Sequence, residues 1–179
     1  MSEERTELPD ILAEGLDVLI VGFNPSLVSW KSGHHYANPV NNFYRLLHRA
    51  GLTPRLLSPE EDVTLPQYGI GLTNFVINIP SANETAVPAA VYRASRAALE
   101  KKVADYKPLI VSFNGLKLYN YYFGKKLPNF GLQNETIADR PLFVTPSSSG
   151  AANMYYELRQ QLYNQLKELI DQKKSPEKN

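Results

Sequence analysis

The sequence predicts an α/β protein: a three-layer α/β/α sandwich around a short, mainly parallel central sheet. Three observations carry that prediction. Short β-branched runs recur along the chain, apolar at consecutive positions, as strands buried on both faces must be. Segments with apolar residues at helical spacing lie between them. Each run then ends in a polar peptide rich in Asn, Ser, Gly or Pro. Strands alternating with helices imply parallel pairing with helices on both faces.

Residues 16–21 read as the first strand, ending in GFNPS. A polar loop with Trp30, His34, His35 and Tyr36 follows. Pro39 is expected to open a helix capped by Asn38, with Phe43, Leu46, Leu47 and Ala50 inward and Gly51 as the stop. Residues 58–62 read as a short helical turn and 68–73 as the second strand, leading into Asn74. Residues 81–87 form a polar connection. A helix over 88–106 presents Val91, Ala94, Ala98 and Leu99 on one side. The third strand is 108–113 (PLIVSF), followed by a helix over 115–123. Residues 134–138 suit an extra strand, and 141–145 (PLFVT) the last buried one. The final helix is expected over 151–172, with Tyr155, Leu158, Leu162, Leu166 and Leu169 as its apolar stripe. Residues 1–9 and 173–179 read as flexible ends around a single domain over 10–172. In open α/β sheets, ligands bind beyond the carboxyl ends of the strands. The peptides GFNPS, TNF, FNG and TPSSSG all fall at such ends, so these polar loops should converge on one edge.

Composition narrows the function. A chain of 179 residues with 43% apolar residues suits one domain with a sizeable core. A net charge of +1 leaves any nucleic-acid contact to local clusters and backbone amides. The absence of Cys excludes thiolate zinc sites, disulfides, thiol nucleophiles and Cys-ligated iron–sulfur clusters. No signal-peptide core or membrane-spanning run is present, so a soluble, intracellular protein without a membrane partner is expected.

The motifs admit both structural and chemical roles. Asn24 offers one acceptor and two donors and can hold a water, although Asn-Pro also commonly starts a turn. His34 and His35 have no third ligand at a useful spacing, so no metal is expected. Tyr36 suits either the core or a platform for a flat heterocycle. The hydroxyls and amides of TPSSSG favour an anion, although taken alone the motif is better read as ordinary helix capping by one of the serines. Gly-x-Gly-x-x-Gly, P-loop and Gly-x-Ser-x-Gly motifs are lacking, and carboxylates are scarce at the strand ends.

Taken in order, GFNPS, GHHYANPVNNFY, LTNFV, VSFNG, FGLQ and TPSSSG resemble the mismatch-specific uracil-DNA glycosylase and thymine-DNA glycosylase family over residues 16–172. HHY, FNG and PSSS are closer to the thymine-DNA branch. The resemblance implies a DNA-repair enzyme that flips a pyrimidine out of duplex DNA and hydrolyses its N-glycosidic bond. It implies that Asn24 positions the attacking water and that Tyr36 stacks on the base. It places Asn74 at the base edge, Phe23 with its loop near the base carbonyl, and His35 near the pocket with its role open. Ser29 stands where the thymine-DNA branch has a small apolar residue. Ser147, Ser148 and Ser149 would grip phosphates. Where that branch carries a plugging Arg this chain has Ala151. Where the mismatch-uracil branch has a Leu wedge it has Ser149 and Gly150. Lys31, Lys125, Lys126 and Arg159 are candidates for the DNA face. No Lys nucleophile stands at the motifs, so a monofunctional enzyme without a strand-cutting step is expected, without metal or cofactor, acting as a monomer on duplex DNA with a mismatched or damaged pyrimidine. Two rivals stand beside it: a non-catalytic module binding a nucleotide or modified base, and an enzyme of free nucleosides.

Overall fold

A computed structural model of the chain describes residues 7–80 and 88–175. The connection expected at 81–87 lies outside them. The elements in order are β1 (Val18–Gly22), α1 (Leu27–Ser32), α2 (Phe43–Arg49), a 3-10 helix (Pro59–Tyr68), β2 (Ile70–Asn74), α3 (Ala89–Tyr106), β3 (Ile110–Asn114), α4 (Leu116–Phe123), β4 (Gly131–Ile137), β5 (Arg140–Thr145), a second 3-10 helix (Gly150–Tyr155) and α5 (Tyr156–Lys174).

The five strands lie in the order β2-β1-β3-β5-β4. All neighbours are parallel except β4, which runs antiparallel along the edge beside β5. Successive side chains of a strand point to opposite faces, and β1 shows what that does. Val18 and Ile20 join a core with Phe43, Leu47, Leu72 and Leu166, beneath α2 and α5. Leu19 and Val21 join a second core with Val103, Val111, Phe113 and Leu118, beneath α3 and α4. Both faces of the sheet are therefore covered, as the unbroken apolar runs require. Truncating a residue such as Leu47 to Ala would cost about 2–5 kcal/mol.

Several local expectations are corrected. The segment after β1 is helical: Ser26 caps α1 by accepting from the Ser29 amide at 3.1 Å, and Gly33 closes it at φ +83°. The next helix starts at Phe43 rather than at Pro39. Asn38 and Asn41 side chains accept from the amides of Val40 and Phe43, drawing the backbone into turns that compete with helix. The turn expected at 58–62 runs on to Tyr68, started by a capping box of Ser58 and Glu61. On α3, Leu99 and Val103 are buried, whereas Ala94 and Ala98 are exposed.

The final α-helix begins at Tyr156, after the kinked 3-10 turn. Its inward face is Leu162, Tyr163, Leu166 and Ile170. Leu158 is exposed, and the neighbouring Arg159 is buried instead. Of the ends expected to be flexible, residues 7–9 and 173–175 are among those described. Ile11 exchanges two 2.8 Å backbone bonds with Leu72, which lays the N-terminal segment along β2 and buries Leu8. Lys173 and Lys174 belong to α5, and Lys174 Nζ lies 2.8 Å from an Asp17 carboxylate oxygen.

Candidate active site

Strand register sets the depth of each polar side chain. Gly22 lies level with Asn74, and Asn114 with Thr145. The carboxyl ends of β2, β1, β3 and β5 thus form one rim, and a cavity of about 200 Å³ opens there. Gly22, Phe23, Asn24, Ser29, His35, Tyr36, Asn74, Ser147, Ser148 and Ser149 line it, joined by Asn41 and Asn114. Sequence-derived candidates from four separate peptides are brought together. Lys31 stands apart, exposed at the end of α1. Gly150 and Ala151 border an adjoining groove.

Among the described residues the lining is neutral, with asparagine amides and serine hydroxyls as its main polar groups and no carboxylate or lysine. Asn24 donates through Nδ2 to the Ile79 carbonyl at 3.1 Å. A carbonyl only accepts, so Nδ2 must face Ile79, which leaves Oδ1 as an acceptor for another donor. Asn74 is fixed by a similar argument. His35 Nε2 lies 2.8 Å from the Pro9 carbonyl and therefore carries the proton. Its Nδ1 then accepts from Asn74 Nδ2, 3.5 Å away, and the amide orientation follows. Burial lowers the His35 pKa, the bond to Pro9 and the nearby Asp62 partly offsetting it. His35 is therefore neutral at pH 7, and its Nδ1 is left as an acceptor facing the Asn74 amide.

Gly22 makes this packing possible. A Cβ there would stand 2.7 Å from Asn74 Oδ1 and 3.1 Å from the Tyr36 hydroxyl. Tyr36 itself has φ +55°, a left-handed backbone that a bulky L-residue adopts at a cost of about 1–3 kcal/mol. Its neighbours enforce it. The Tyr36 ring stacks on Phe43 with centroids 3.9 Å apart. The Ala37 amide donates to Ser29 Oγ at 3.0 Å, and Tyr44 donates its hydroxyl proton to the His35 carbonyl at 2.7 Å. Asp62 accepts from the His35 amide at 2.8 Å and meets His34 Nδ1 at 3.1 Å. The Tyr36 hydroxyl is enclosed without a hydrogen bond of good geometry among the described residues. Burial pushes its pKa up to about 12, with the Asn114 amide offsetting part of the effect.

Two expected roles change. The Ser29 hydroxyl is already engaged by Ser26 and by the Ala37 amide, so it ties α1 to the Tyr36 loop. Ser148 is fully buried. Its amide donates to Asn114 Oδ1 and its hydroxyl accepts from Asn114 Nδ2, both at 2.9 Å. Its side chain is not presented to solvent, whereas Ser147 and Ser149 are half-buried at the rim.

Arg159 does not lie on an outer face. Its guanidinium donates to the carbonyls of Ser147, Ser149 and Ala152 at 3.1–3.2 Å. The Asn114 and Arg159 roles were not read from sequence, although FNG flagged the strand end. Among the described residues no group of His, Asp and Glu suits a metal ion, and no helix is long and apolar enough to cross a membrane.

Fold and pocket define an α/β protein with an uncharged, amide-lined site at the carboxyl edge of a parallel sheet. A model of the Uracil DNA glycosylase superfamily matches residues 9–169, and the chain belongs to that superfamily. The solution NMR structure of a Methanosarcina acetivorans protein, provisionally described as a uracil DNA glycosylase, aligns with a TM-score of 0.56. It is 21% identical and covers 92% of this chain and 97% of that one. At that identity the likeness speaks for the fold. Family membership supports a DNA glycosylase activity in general.

Proposed function

We propose that the protein is a monofunctional DNA glycosylase that removes uracil, and more slowly thymine, from DNA, preferably from G·U and G·T mismatches. The observation that carries this reading is the neutral pocket itself, whose amides are held in fixed orientations. A pyrimidine edge alternates donors and acceptors, and oriented amides match it where charged groups would not. A base inside a duplex is out of reach, so it must be flipped out, at a cost of a few kcal/mol that a mismatch reduces.

In the reaction the C1′–N1 bond breaks and its electron pair leaves with the base. Water attacks C1′ of the oxocarbenium-like sugar and loses a proton, and the pyrimidine anion is protonated after departure. Asn24 Oδ1 accepts a hydrogen bond from that water and aims it, because an amide is too weak a base to deprotonate it in advance. Asn74 meets the base edge, Tyr36 covers the base, and backbone amides near Phe23 stabilise the developing anion. Ser147 and Ser149 hold flanking phosphates, and Lys31 adds a peripheral contact. No lysine lines the pocket among the described residues, which supports hydrolysis without a Schiff base and hence without strand cutting.

The test uses labelled oligonucleotides carrying one uracil or thymine opposite guanine, opposite adenine, or in a single strand. Alkali reveals abasic sites. Wild type should cut G·U fastest, and Asn24→Ala should lose that activity while still binding the duplex. Binding without cutting on every substrate would instead favour a module that only holds a base.

A further inference from the structure

We propose that Arg159 is the positioning residue of the serine loop, turning the Gly150 amide outward toward a DNA phosphate from beneath while the Ser148, Ser149 and Ala151 amides are held within the protein. The proposal rests on the glycosylase reading above and adds a residue to it.

The loop after β5 carries no basic side chain: from Pro141 to Leu158 the sequence has no Lys or Arg. Its positive character must come from elsewhere. Arg159 is fully buried at the start of α5, and both of its Nη atoms donate to the segment that precedes the helix. Nη1 donates to the Ser147 and Ser149 carbonyls at 3.2 Å, and Nη2 donates to the Ala152 carbonyl at 3.1 Å.

In a trans peptide the N–H points opposite to the C=O. Drawing the Ser149 carbonyl inward therefore turns the Gly150 N–H away from Arg159, toward the groove that adjoins the pocket and shares Ser26, Asn41 and Ser149 with it. The Ser148 N–H, likewise turned from Arg159, is taken by Asn114 Oδ1 at 2.9 Å. Asn114 and Arg159 thus clamp the loop from opposite sides. A guanidinium shielded from solvent also adds a positive field that salt screens poorly. Lysine, a point charge without the planar fork, cannot reproduce three directed bonds in these positions.

The test uses the full chain and single-turnover cleavage of a G·U duplex at increasing enzyme concentration. Arg159→Lys and Arg159→Met are compared with wild type. The half-saturating concentration should rise by about tenfold or more in both, as loss of charge-assisted bonds implies. The maximal rate should stay within about threefold, because no reacting atom loses a contact. Thermal melting is followed alongside. Unchanged half-saturation in folded variants would overturn the proposal. So would a parallel fall in maximal rate, affinity and melting temperature, the mark of a merely structural arginine.

A second measurement does not depend on the variants folding. In wild type, the Gly150 amide resonance should shift downfield when a duplex with an abasic site is added, and a stationary resonance with bound duplex would overturn the proposal. If wild type cuts nothing, the glycosylase reading falls, and comparison of this shift in wild type and in Arg159→Lys still decides whether Arg159 positions the Gly150 amide toward DNA.

Discussion

Gly22 illustrates how one residue's lack of a side chain shapes a site. Its backbone does not require glycine, since its φ is not positive. The space does, because Asn74 and Tyr36 occupy the volume where a Cβ would sit. Gly22→Ala should therefore displace both groups. Overpacking of this kind costs about 1–3 kcal/mol, and the glycosylase rate should fall by about tenfold or more. Melting curves and single-turnover rates check both, and a variant cutting at the wild-type rate would refute the packing argument. Tyr36→Phe probes the opposite case. It removes a buried hydroxyl that lacks a good partner, so stability should hold or rise by about 1 kcal/mol. Cleavage should stay within a few-fold if the ring supplies the function. A large loss of rate at unchanged stability would instead show that the hydroxyl contacts the base.

At the scale of elements, the strands were legible and their flanks were not. Buried strands announce themselves through unbroken apolar runs, and β1, β2, β3 and β5 lie within two residues of their expected starts. Helix α1 was hidden because its sequence, LVSWKS, is too short to show a period, and its start depends on the Ser26 cap. The onset of α2 was misread because Asn38 and Asn41 hold turns that Pro39 alone does not reveal. The loop between α1 and α2 is fixed by a distant element, the 3-10 helix carrying Asp62, and no local pattern could show that. The consequence is testable. Asp62→Ala leaves the His35 amide without its acceptor and frees His34, at a cost of about 1–3 kcal/mol. Because the same loop carries Tyr36, the variant should lose affinity for a G·U duplex as well as thermal stability. Full affinity in a destabilised variant would show that the loop holds its shape without Asp62.

Across the whole molecule, the site is a meeting of strand ends, serine loop and N-terminal segment, and only the last of these was hidden in the sequence. Leu8 and Pro9 looked like part of a loose end, but the pairing of nearby Ile11 with Leu72 of β2 anchors the segment whose Pro9 carbonyl meets His35. That contact couples protonation to both folding and activity. The folded-state pKa of His35 is lowered below the unfolded value of 6.5, so the unfolded chain binds the extra proton first. His35 therefore contributes stability that is fully present above about pH 6.5 and is lost as pH falls toward its folded pKa. The melting temperature should drop between pH 7 and pH 5, and the drop should be smaller in His35→Gln, whose side chain does not titrate. Cleavage should decline over the same interval in wild type. Protonated His35 has no lone pair at Nδ1 for Asn74, so the amide must turn and present the wrong edge to the base. A wild-type cleavage rate that is flat from pH 7 to pH 5, measured with the enzyme still folded, would separate His35 from base recognition and leave it a purely structural residue.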